Sequence, residues 1–148
     1  MKPRNAANRM PRSRRGATVL EAALVIPILL ALAFGSVEVG YFIFIKHTLH
    51  GAAQVGARVG SLANSTNAEV TTAVGNAMTA AGIPSNQYTL QVRNANTDAN
   101  LTLSSTAAST PVKVTVSCTW GTVANGVRPM GVIDAAKVTS ASVVMIKE

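Results

Sequence analysis

ATVLEAALVIPILLALAFGSVEVGYFIFI, residues 17–45, is the stretch on which the fold turns. As a helix it is about 43 Å long at 1.5 Å per residue. A bilayer core of ~30 Å needs about 20 apolar residues, so the stretch is long enough to span a membrane and to protrude. Ala22, Ala23, Leu24, Leu29, Leu30, Ala31, Leu32 and Ala33 are good helix formers. Pro27 lacks a backbone donor and is expected to kink the helix, a defect that transmembrane helices tolerate. Between residues 22 and 45 the only charge is Glu38. A span centred near residues 30–31 puts Glu38 at the outer interface, where Tyr41, Phe42 and Phe44 read as an interfacial aromatic cluster.

Charge orients the segment. The chain of 148 residues carries a formal net charge of +7. Lys2, Arg4, Arg9, Arg12, Arg14 and Arg15 all precede Gly16, where there is no acid, and the remaining bases and acids nearly balance. A nucleic-acid binder is expected to spread its basic residues over a folded face. Here they abut an apolar run, so nucleic acid is not an expected partner. Basic residues before the helix and few after it place the amino terminus in the cytoplasm. Residues 1–16 then read as a basic cytoplasmic leader, 17–45 as a transmembrane helix, and the rest as exported.

Glu21 stands at the cytoplasmic end of the span. An ionised carboxylate at mid-bilayer costs about 2.5–3.5 kcal/mol, and less near the interface. Two compatible readings account for it. Thr18 and Glu21 have capping-box spacing for a helix beginning at Thr18. Alternatively, Glu21 meets a positive partner in a packed bundle of such helices.

The fate of the amino terminus has three readings: an uncut anchor whose domain binds other envelope proteins, a secreted protein cut by signal peptidase after Ala33, or a cut after Gly16. Ala31-Leu32-Ala33 offers a small-residue site, but a cut there leaves the apolar FGSVEVGYFIFI, residues 34–45, exposed. Arg14-Arg15-Gly16 followed by Ala17 and then Glu21 resembles the processing site of type IV prepilins, with a basic leader, glycine at −1 and glutamate at +5. GATVLEAALVIPILLALAFGSVEVG (16–40), AAQVGARVG (52–60) and the closing VTSASVVMIKE (138–148) are similar to TadE-like pseudopilins of tight-adherence (Flp, type IVc) pilus systems. Ala22 departs from the pattern, which usually has an aromatic after the glutamate.

The resemblance implies a pilin-like, single-pass protein of the bacterial inner membrane with its carboxy-terminal domain in the periplasm or at the cell surface. It implies a structural role in pilus assembly, adhesion or secretion. The implied partners are membrane lipid, other pilins or pseudopilins, a pilus assembly platform, and a prepilin peptidase cutting between Gly16 and Ala17. A cut there removes the leader charge and frees an amine on Ala17, which a neighbour's Glu21 could pair with. Polar groups in apolar interfaces can set axial register in this way, and the many Ala and Gly residues of the span permit close helix contact.

Downstream, Leu49, Ala52, Ala53, Gly56, Val59 and Leu62 approximate one helical face. Residues 46–63 therefore read as an amphipathic extension of the span. Asn64-Ser65-Thr66-Asn67 reads as a turn. Thr66 and Glu69 have capping-box spacing for a second helix over about 67–81, which Gly82 and Pro84 stop. Strand patterns occur at 88–93, 112–117 and 137–146, with a further short strand expected at Leu101 and Leu103. Asn125-Gly126 is a tight-turn signal. Residues 64–148 thus form a small α+β domain, a short helix packed on an antiparallel sheet.

Catalytic chemistry is not expected. The acids beyond the span are scattered, and no nucleophile motif, phosphate loop or metal-ligand spacing occurs. His47 and His50, three apart, read as a solvated helix face. Cys118, the one cysteine, reads as a small buried hydrophobe. No cofactor and no small-molecule substrate are expected.

Overall fold

One helix carries the molecule. In a computed structural model that describes residues 13–124 and 127–148, α1 runs unbroken over Ser13–Ser61, through Pro27. The leader residues Lys2, Arg4, Arg9 and Arg12, the side chains of Arg14 and Arg15, and the Asn125-Gly126 turn lie outside that description. Because α1 starts at Ser13, Thr18 and Glu21 sit inside the helix, and the expected cap at Thr18 is not its beginning.

The carboxy-terminal part of α1 is packed on one side by α2 (Asn67–Ala80) and by a three-stranded antiparallel sheet of β1 (Thr89–Asn94), β2 (Pro111–Thr119) and β3 (Val138–Ile146), with β2 in the centre. A single turn, α3 (Trp120–Val123), follows β2. The fold is α+β, a long apolar helix followed by a short helix and a sheet, as the patterning predicts.

Local chemistry explains the boundaries of α2. Thr66 Oγ1 accepts from the Glu69 amide at 3.3 Å, and Glu69 Oε2 accepts from the Thr66 amide at 2.9 Å, the reciprocal capping box. At the other end Gly82 takes φ +79, and the Gly82 and Ile83 amides turn back onto Thr79 and Met78 carbonyls.

The core lies where α1, α2 and the sheet meet. Ile45, Leu49, Ala52, Ala53 and Ala57 of α1 face Val70, Val74 and Met78 of α2 and Val112, Val114 and Val116 of β2. Gly56 is the point of closest approach. A methyl group built there would stand 2.6 Å from Val74 Cγ2 and 3.1 Å from Val114 Cγ1. Leu62, placed on the buried face by its spacing, is 48% exposed because the helix ends before the domain can cover it.

Two loops depart from the sequence reading or complete it. Leu101 and Leu103 do not form a strand. Leu101 N–H reaches the Val92 carbonyl, and Asn100 bridges Arg93, but Asn67 then captures the chain. Its amide donates to Leu101 O and accepts from Leu103 N–H, both at 2.8 Å. The backbone curls into a 3₁₀ turn over Leu103–Ser105 with Leu103 buried. The chain's last residues suture the end of α1. Lys147 Nζ donates to the Leu62 carbonyl and to Ser65 Oγ, each at 3.0 Å, and Glu148 N–H donates to Ser61 O at 2.8 Å. Carbonyls left open by the end of a helix are thereby satisfied.

Candidate functional site

The feature that the packing leaves unexplained is the first half of α1. From Gly16 to Val37 almost every residue is exposed, including Leu20 at 76%, Leu24 at 69% and Leu32 at 63%. Within Gly16–Ser61 the most apolar window has a mean hydropathy of 2.4 and no buried residue. Among the described residues it is the one helix long and apolar enough to cross a membrane. Monomeric soluble proteins rarely expose continuous apolar surface beyond a few hundred Å². Ser36, polar within this stretch, bonds its hydroxyl to the Leu32 carbonyl at 2.7 Å, which satisfies it without water.

The residues singled out from the sequence distribute along this bare helix. Gly16 and Ala17 lie on its exposed surface within the first turns, and nothing crowds Gly16. Glycine costs about 1 kcal/mol relative to alanine in a helix, so the bond after Gly16 sits at a weak point of the helix. Glu21 is exposed and shares a stripe with Ile28, Leu32, Gly35 and Val39, by the 3.6-residue period. The last four line a shallow groove with Ala31, Gly40 and, from the domain, Val132. Pro27 lies off that stripe. The structure therefore puts Glu21 in line with a small-residue groove and keeps it apart from the domain.

Glu38 is the position whose burial the sequence does not disclose. It is fully buried although it lies on the exposed half of the helix. The loop 127–137 comes down over it, and Ile133 N–H donates to Glu38 Oε1 at 3.0 Å. Within the same loop, the Arg128 guanidinium donates to Ile133 O at 3.1 Å. The loop is also tied by α3, where Trp120 and Gly121 amides donate to Lys137 and Ala135 carbonyls, each at 2.8 Å. Gly121 has no room for a side chain there, with Ala135 O 2.9 Å from where a Cβ would stand.

Above Glu38 the aromatic residues form a collar and not a lipid-facing belt alone. Phe42 meets Trp120 edge-on with ring centres 5.2 Å apart, and Tyr41 lies 5.8 Å from Trp120. Tyr41 donates to the Val123 carbonyl at 3.3 Å. Phe44, 47% exposed, stays on the outer side. Lys46 and Lys137 ammonium groups sit 5.9 and 5.6 Å from the Phe42 ring centre, within cation–π range. The folded domain thus grips α1 from Glu38 onward, about two turns below residue 46.

The domain itself offers little chemistry. Cys118 is 5% exposed on the inner face of β2, and burial pushes its thiol pKa up, away from reactivity. His47 and His50 are exposed. No cluster of three His, Cys, Asp or Glu able to hold a metal occurs among the described residues. Asp98, at φ +54, bonds Arg93 at 2.7 Å and Lys113 at 3.2 Å. It relieves the repulsion of two like charges directly paired across β1 and β2.

Residues 16–58 match the family described as TadE-like protein. The match covers the bare helix, the collar residues of α1 and most of the packed extension. No curated protein and no solved structure matches the chain.

Proposed function

We propose that this chain is a minor pseudopilin of a tight-adherence pilus or related secretion machine, a membrane-anchored structural subunit and not an enzyme. The bare apolar helix, joined to a small folded domain and carrying the TadE-like segment, is the observation that supports this reading. Such a helix requires lipid during synthesis and lipid or other helices afterwards. The leader charge orients it with the domain on the far side of the inner membrane.

In this mechanism a prepilin peptidase cuts between Gly16 and Ala17, removing the basic leader that would otherwise hold the amino terminus at the cytoplasmic face. The new Ala17 amine and the exposed Glu21 of adjacent subunits then pair in an apolar environment. Removing one partner of such a buried pair typically costs 3–5 kcal/mol. The groove in line with Glu21 receives the neighbouring helix, with Gly35 and Gly40 allowing close approach.

Amino-terminal sequencing of the protein isolated from cells with the peptidase tests this directly. A start at Ala17 is expected. A start at Met1 or Met10 would make it an uncut anchor, and a start at Phe34 a secreted protein. Glu21→Ala is expected to leave membrane insertion intact and to reduce co-purification with partner pilins. Unchanged co-purification would refute the pairing.

A further inference from the structure

Glu38 fixes the height of the domain on the helix. From Gly16 to Glu38 the rise is about 33 Å at 1.5 Å per residue, against a hydrocarbon core of ~30 Å. If the core begins just past Gly16, it ends beside Val37, and the loop that covers Glu38 stands at the membrane boundary. The tip of that loop is apolar and uncovered. Met130 is 47% exposed and Val132 60% exposed. Val132 lines the groove of α1 with Gly35 and Val39, so it reaches below Glu38 toward the lipid. Higher up, Lys46 and Lys137 flank Phe42, about one turn above, at the level of lipid phosphates.

We propose that the 127–137 loop is a second membrane contact, in which Met130 and Val132 enter the acyl region of the outer leaflet beside α1 while Lys137 and Lys46 meet its phosphates. The proposal rests on the reading of α1 as a membrane span. The bonding of Ile133 fits a place for that residue at the edge of the lipid. The Ile133 amide is bonded to Glu38, and the Ile133 carbonyl to Arg128. Backbone groups entering lipid must be satisfied internally. Glu38, a charge at the boundary, is kept from lipid by the loop itself.

The test uses the full chain in lipid nanodiscs, labelled with an environment-sensitive fluorophore at one introduced cysteine at a time: Leu30→Cys, Met130→Cys, Val132→Cys or Val144→Cys. Leu30, Met130, Val132 and Val144 are all exposed, and buried Cys118 is expected to remain unlabelled under native conditions. Phosphatidylcholine with a nitroxide high on its acyl chain serves as quencher. Emission from positions 30, 130 and 132 is expected to fall by more than half, and that from 144 to stay unchanged. Quenching at 30 with positions 130 and 132 as bright as 144 overturns the loop contact, leaves the span standing and points to a protein partner at the tip. No quenching at 30 removes the span itself, and the proposal with it.

Discussion

Gly56 has no side chain, and the tightness of the core depends on that absence. It and Gly60 sit four apart on α1, where α2 and β2 come closest. Gly56→Ala forces a methyl into branched valines that have no flexible end to move. Overpacking of this kind costs about 1–3 kcal/mol, and a lowered thermal midpoint of the domain checks it. Lys147 acts in the opposite sense, by supplying donors. Lys147→Met is expected to lose about 1–3 kcal/mol by removing two charge-assisted hydrogen bonds, although the Leu62 carbonyl keeps the Ser65 amide and the Ser65 hydroxyl keeps the Gly60 carbonyl; denaturant unfolding measures the loss. Asp98 makes a pH-dependent contribution. Its carboxyl is held below the ordinary aspartate range, first by the hydrogen bond from Lys113 and then by that from Arg93. A lowered folded-state pKa stabilises the fold at neutral pH, and that contribution is lost as the pH falls through the lowered value. The stability difference between the wild type and Asp98→Asn should therefore shrink toward zero in acid. A difference independent of pH contradicts it. None of these three roles stands out in the sequence, because each depends on a partner far away in the chain or on a turn that brings it near.

Elements were easier to read than residues. The α2 boundaries follow from a local code, Thr66 with Glu69 at one end and Gly82 at the other, so the predicted helix over about 67–81 nearly coincides with Asn67–Ala80. Thr66→Ala should cost about 1 kcal/mol, visible as earlier melting and faster amide exchange in the first turn of α2. The three main strands were legible because Val alternates with polar residues through β2, and β1 and β3 follow the same period. Leu101 and Leu103 misled because their spacing is that of a strand, while the outcome was decided by the side-chain amide of Asn67, which binds both ends of the segment. Thr18 carries a cap signal, but the helix continues on its amino-terminal side to Ser13. The loop 127–137 carries no periodic signal at all, and its path is set by Glu38, Trp120 and Gly121 together. Glu38→Ala should free the Ile133 amide, and hydrogen exchange there should accelerate while exchange in β2 stays slow.

At the scale of the molecule, two halves of one helix obey different rules. From Gly16 to Val37 its surface is mostly apolar and uncovered, with Glu21 its single charge. From Glu38 its inner face is packed against α2 and the sheet while Lys46, His50 and Arg58 face outward. The first half was readable from composition, and the second from its 3.6-residue pattern. The junction was not, because Glu38 and Tyr41 read as interfacial residues in a linear scan, and only the fold brings a loop and Trp120 onto them. This architecture suits a subunit that must be anchored, oriented and later packed beside similar helices.

The central claim is that α1 crosses the membrane from Gly16 with the domain delivered outside, and the accessibility of Val144, on the domain's outer sheet face, tests it most directly. Val144→Cys, expressed in a bacterial host, is treated in intact spheroplasts with a membrane-impermeant maleimide, and the membranes are then washed with carbonate. The protein should stay with the membranes and be labelled without permeabilisation. Recovery in the carbonate wash, or labelling only after lysis, would contradict the account.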